Sequence, residues 1–113
     1  MRRTLRQAGY FSGDFDHAYR WYFLEAGERV ARRFLEAVWA TLEQLADHPN
    51  LGKACRFRHS ELQGLRSFRV QRPFQAQLIF FRESKEELSV ERLMHGRRDL
   101  PRRLREPPGI GGE

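Results

Sequence analysis

Apolar residues recur at Phe15, Ala18, Tyr19, Tyr22, Phe23 and Ala26, the three-and-four spacing that lays one stripe along an α-helix. Ser12 and Asp14 are helix-capping residue types, Asp14 and Asp16 suit the positive end of a helix macrodipole, and Gly27 closes the segment as a C-cap. The same period restarts through Ala31, Phe34, Leu35, Val38, Leu42 and Leu45 and stops at His48-Pro49-Asn50. Two helices with so short a break form a hairpin. From residue 65 the pattern turns strand-like, in runs over 65–72, 75–82 and 88–95 parted by Arg72-Pro73 and by residues 83–87. Short links make these runs an antiparallel meander.

Three further segments complete the order. Residues 2–8 read as a first strand, expected alongside the strand 75–82 or at a sheet edge. Residues 51–64 hold Lys53, Arg56, Arg58 and His59 with no sustained period and read as a basic loop. Asp99 can cap a short last helix over 100–105, with Pro101 tolerable in its first turn. The expected fold is α+β, one domain over 1–105 with a flexible tail over 106–113. Its helix hairpin lies on one face of a small antiparallel sheet of four strands, and the other face is left partly open.

Length and charge narrow the function. A chain of 113 residues has room for one core. Its longest apolar run, Leu78-Ile79-Phe80-Phe81, is far short of the roughly 18 residues of a membrane span. No apolar signal-peptide core follows Met1-Arg2-Arg3, so a cytoplasmic protein that does not engage membranes is expected. The single cysteine, Cys55, cannot form an intramolecular bridge. The net charge of +6 resides entirely in the second half: residues 1–52 hold seven basic and seven acidic side chains, residues 53–105 fourteen against six. Nineteen of the basic residues are Arg, a bias that genome composition or bidentate phosphate recognition would equally produce.

Other chemistry finds little support. The four histidines, 17, 48, 59 and 95, lack metal-ligand spacing, and the acids of Asp14-x-Asp16-His17 are accounted for by a helix start, so no metal is expected. No nucleophile elbow, Cys-x-x-Cys or phosphate-cradling glycine loop occurs, and no cofactor is indicated. Trp21 and Trp39 fall beside the main helical stripes, where spare aromatic surface marks either a partner site or the rim of the core.

The run Arg92-Leu93-Met94-His95-Gly96-Arg97-Arg98-Asp99, preceded by Leu78-Ile79-Phe80-Phe81-Arg82, resembles the RelE/ParE superfamily of bacterial toxins, in particular its ParE branch and the plasmid stabilisation proteins. Leu65-Arg66-Ser67-Phe68 and His48-Pro49-x-Leu51-Gly52 extend the resemblance, which covers about residues 14–104. It implies a toxin silenced by a small cognate antitoxin, ParD-like or similar, in a hetero-oligomeric complex. ParE members poison DNA gyrase without chemistry of their own, whereas RelE members cut messenger RNA on the ribosome. The preferred reading is the gyrase inhibitor, and the alternative is the ribosome-dependent endoribonuclease. The stretch 72–77 departs from the family's usual short link, which weighs against RNA cleavage.

For a nuclease, 2′-hydroxyl attack needs a general acid and base with cations around the scissile phosphate, for which His95, Arg82 and Arg69 are the candidates. His95 in a His-Gly turn can equally close its strand by bonding the backbone. Period-two alternation sets Arg69 with Ser67 and Gln71, opposite Phe68 and Val70, and so outward. On the open face Arg69, Arg82 and Arg92 would either converge on a target or keep the sheet solvated. With His95, Arg97, Arg98, Trp21 and Trp39 they are the expected target- or partner-binding residues.

Overall fold

The first helix begins one turn earlier than its apolar stripe predicts. In the computed structural model, which describes residues 2–96 and 99–109, α1 spans Phe11–Ala26 and starts on a phenylalanine buried in the core. Its N-cap position is Tyr10, with no side-chain cap. Ser12 does not cap either, and its hydroxyl donates to Gln7 Oε1 at 2.8 Å. Gly27 ends the helix as expected: at φ +93° it occupies backbone space that suits glycine, and its N–H donates to the Phe23 carbonyl at 3.0 Å. Helix α2, Glu28–Asp47, follows at once and buries Ala31, Phe34, Val38, Leu42 and Leu45 along the predicted line.

The sheet has five strands in the order β1-β5-β4-β3-β2. They are β1 (Thr4–Gln7), β2 (Lys53–Ala54), β3 (Arg66–Arg69), β4 (Gln77–Glu83) and β5 (Glu87–His95). Strands β3, β4 and β5 are the antiparallel meander expected from the sequence. The first strand takes the edge but not the neighbour first named for it. It runs parallel to β5, because β4 is already flanked on both sides by β3 and β5, and the sheet is therefore mixed. The segment read as a loop supplies the fifth strand, β2, antiparallel to β3. Gly52 precedes it, and a Cβ there would come within 2.3 Å of the Phe81 ring, so the backbone lies directly on that ring.

Two apolar clusters flank the sheet. The larger joins Phe11, Phe34, Val38, Leu42 and Leu45 of the hairpin to Ile79, Phe81, Leu88, Val90 and Leu93 of the strands. The sheet face expected to be partly open carries a second cluster, Leu62, Leu65, Phe80, Met94 and Leu104, covered by the 55–65 segment and by α3 (Leu100–Arg103). A β-bulge in β5 divides the residues between them. Phe81 pairs with Val90 but Phe80 pairs with Arg92, so Glu91 is the extra residue and side chains beyond it change phase. Leu88, Val90 and Leu93 thereby share one core, while Met94 joins Phe80 in the other.

Asp99 stands at the N-cap of α3 in a left-handed conformation, φ +61°, and makes no capping bond; its Oδ2 lies 3.8 Å from Arg102 Nη2. Past α3 the chain runs back over α1 as far as residue 109. A Cβ on Gly13 would come within 2.7 Å of Pro108 Cγ. Arg97, Arg98 and residues 110–113 lie outside the described residues. Among the described residues no helix is long and apolar enough to cross a membrane.

Cys55 packs against the second cluster, and burial pushes its thiol pKa up, opposed by a hydrogen bond with Ser67 and the nearby Arg66 charge. The thiolate is the reactive form. At pH 8 the folded protein should therefore alkylate more slowly than the same chain in denaturant, as followed by mass spectrometry. Equal rates would mean that the 55–65 segment does not cover the thiol.

Candidate functional site

Asp14 sits within the apolar face of α1, between Phe11 and Ala18, where a carboxylate must find a partner. Its partner is Arg92 of β5: Arg92 Nε donates to Oδ2 at 2.7 Å and Nη2 to Oδ1 at 2.9 Å, with both residues only 6% exposed. The bidentate geometry is the strongest form of this pair. Oδ2 also accepts the Leu93 backbone N–H at 2.9 Å. Strand β1 reaches only to Val90 of β5, so beyond that point the Asp14 carboxylate bonds the strand edge that β1 leaves unpaired.

The remaining Arg92 nitrogen, Nη1, donates to the carbonyls of Leu104 at 2.9 Å and Glu106 at 2.7 Å, which ties down the end of α3 and the segment after it. The guanidinium carbon lies 5.2 Å from the Tyr10 ring centre, a cation–π contact. One ion pair thus joins the start of α1, the last strand and the C-terminal turn. Arg92 is expected from the sequence on an open sheet face, and it is instead buried, less exposed than Arg69 or Arg82. The two residues are 78 positions apart, and no local pattern connects them.

A cleft of about 460 Å³ opens beside this pair, between α1 and the end of β5. Ala18, Trp21 and Tyr22 form one wall, Leu93, Met94 and His95 the other, with Gln77 between them and Arg103, Pro107 and Gly109 on the C-terminal side. Two polar atoms there have no hydrogen-bond partner although they are buried: Gln77 Oε1 and His17 Nε2. Gln77 is 6% exposed, and its Nε2 has only a long contact, 3.5 Å, to the Tyr22 hydroxyl. Among the described residues no three His, Cys, Asp or Glu side chains gather as a metal site requires.

Of the residues proposed from the sequence, Trp21 and His95 join Arg92 at this cleft, and Trp21 is 47% exposed. The His95 carbonyl accepts from Arg103 Nη1 at 3.0 Å. The others are elsewhere. Arg69 is exposed, as alternation predicts, but its Nη1 donates to the Gln75 carbonyl at 2.8 Å across its own turn. Arg82 pairs with Glu91 at 2.8 Å and donates Nη2 to the Glu61 carbonyl at 2.7 Å, holding the 55–65 segment to the sheet. Trp39 is a partly exposed residue of α2 and does not line the cleft. Sequence reasoning missed Gln77, His17 and Arg103. A carboxylate inside the helix stripe was the available signal for Asp14, whereas no spacing marks the other three.

A family profile for the ParE toxin of the type II toxin–antitoxin system, parDE, matches residues 5–100. No curated protein is similar enough in sequence to count as a relative. Among solved structures, a chain of the chromosomal ParDE TA system from P. aeruginosa superposes with a TM-score of 0.66 at 18% identity, covering 83% of this chain and 96% of that one. A chain of the E. coli DinJ-YafQ toxin–antitoxin complex gives 0.57 at 12% identity, covering 84% and 93%. The conserved hypothetical protein HP0894 from Helicobacter pylori gives 0.53 at 19%, covering 85% and 96%. At such identities these likenesses show a shared fold.

Proposed function

Since the chain belongs to the ParE toxin family of type II toxin–antitoxin systems, we propose that it inhibits DNA gyrase by protein–protein contact in the cytoplasm, carries out no chemistry of its own, and is silenced by a cognate antitoxin. The engagement of the sheet arginines carries this reading against RNA cleavage. Stabilising a scissile phosphate requires cations aimed at the developing charge and held in place before reaction. Arg92 is instead buried on Asp14, Arg82 holds Glu91 and a loop carbonyl, and Arg69 bonds its own turn. The basic second half then serves recognition, and it complements an acidic antitoxin segment that folds on binding.

Purified toxin, freed of antitoxin, should suppress gyrase supercoiling in a dose-dependent way and leave ribosome-bound messenger RNA intact. An equimolar amount of antitoxin should restore supercoiling. Codon-positioned cleavage on ribosomes, abolished by His95→Ala or Arg82→Ala, would reject the gyrase reading in favour of the nuclease.

A further inference from the structure

Among the described residues three buried side-chain polar atoms have no hydrogen-bond partner, Arg66 Nε, Gln77 Oε1 and His17 Nε2, and the last two belong to one cleft. A buried polar atom without a partner costs on the order of 1–3 kcal/mol. Here two such atoms belong to residues lining or adjoining one cleft, and Gln77 itself is 94% withdrawn from solvent. The cleft's volume, about 460 Å³, is in the range of built binding pockets. Its walls at Ala18, Trp21, Tyr22 and Met94 are apolar or aromatic, so it takes an apolar stem with a polar head.

The head can be specified. A carboxamide or hydroxyl both donates and accepts, and so meets the Gln77 amide in either orientation and the His17 imidazole in either neutral tautomer. A carboxylate only accepts and would enter beside the Asp14 carboxylate, which also lines the cleft. Charge specifies what surrounds the head. His95 and Arg103 line the cleft, and the described residues 99–105 hold three arginines, Arg102, Arg103 and Arg105, against one acid, Asp99. A segment approaching this end of the molecule is favoured if it is acidic.

We infer that the cleft between α1 and the end of β5 receives one side chain of the antitoxin, a tyrosine, glutamine or asparagine within an acidic segment, whose head bonds Gln77 and His17. The inference rests on the toxin–antitoxin reading given above and adds to it the place and chemistry of an anchor.

Two substitutions test it from different sides, with the product of the adjoining antitoxin frame as probe and affinity measured by calorimetry on the full-length toxin. Gln77→Met keeps the side chain's shape and removes the unanswered acceptor. It should leave the melting temperature of the free toxin unchanged or raise it, yet weaken antitoxin binding about tenfold, the effect of one lost hydrogen bond of roughly 1.4 kcal/mol. Ala76→Trp alters only an exposed residue of the rim and should weaken binding at least as much. An alanine scan of the antitoxin should then find one Tyr, Gln or Asn whose loss is not additive with Gln77→Met.

Unchanged affinity in Gln77→Met and Ala76→Trp, with a complex still formed, overturns the anchor and leaves the cleft to water while the toxin reading stands. If Gln77→Met lowers the melting temperature, Ala76→Trp decides alone. If the wild-type chain forms no complex with the antitoxin, the inference and the reading beneath it fall together.

Discussion

Asp14→Ala should lower folding stability by about 3–5 kcal/mol, the usual cost of stranding one member of a buried ion pair. The substitution leaves the Arg92 guanidinium 6% exposed without its carboxylate and removes the acceptor of the Leu93 N–H on the unpaired edge of β5. Against a total stability of about 5–15 kcal/mol for a domain, that is a large share, and it should appear as a melting temperature lower by roughly 15–20 °C. The pair itself contributes less than its rupture costs, because both charges were desolvated to make it. Asp14→Leu combined with Arg92→Met should therefore recover most of the loss. Recovery would be incomplete, since Met cannot donate to the Leu104 and Glu106 carbonyls that Arg92 now holds. Thermal melts followed by circular dichroism would measure both effects. A loss below about 1 kcal/mol in Asp14→Ala would mean that water reaches the site and screens the arginine.

The second large effect is expected at Phe34. Its ring is fully buried on α2 and contacts three others, Tyr22 at 4.6 Å, Phe74 at 5.3 Å and Phe15 at 5.8 Å between centroids. That cluster ties both helices to the turn leading into β4. Truncation to Ala opens a cavity that three converging elements cannot collapse together, and should cost about 3–5 kcal/mol. In urea titrations the midpoint should fall with the slope unchanged. Trp39→Ala, on the same helix but partly exposed, should cost far less. If the two substitutions were equally costly, the hairpin would not be packed as described.

The helical hairpin was legible because its signal is periodic and local. Residues from Ala31 to Leu45 repeat at the helical period, and Gly27 breaks the chain where a positive φ is needed. The meander was legible for the same reason, as apolar runs parted by turn residues. The candidate site was mostly not. Arg69 turns outward as alternation says, and the extra residue at Glu91 sets Arg92 opposite Phe80 on the second face, but that face is covered and Arg92 is buried there on Asp14 and the carbonyls after α3. Asp14 stands in the first turn of α1, where an acid complements the helix dipole, but that reading suits any acid near a helix start and does not point to its ion pair with Arg92. Gln77 and His17 gave no signal, since nothing in a glutamine's neighbours states whether its amide will find a partner.

By itself, then, the sequence determined the elements, their order, the helix faces that go inward and the half of the chain that carries the positive charge. These follow from the preferences of each residue and from its neighbours within a few positions. The tertiary structure alone decided that β1 lies parallel to β5 rather than beside β4, and that two residues of an apparent loop extend the sheet. It also decided that the second sheet face is covered, and that an acid of the first helix holds an arginine of the last strand. Each of these is a choice between partners distant in sequence, set by which edges and volumes remain free once the rest of the chain has packed, and no local pattern records what remains free.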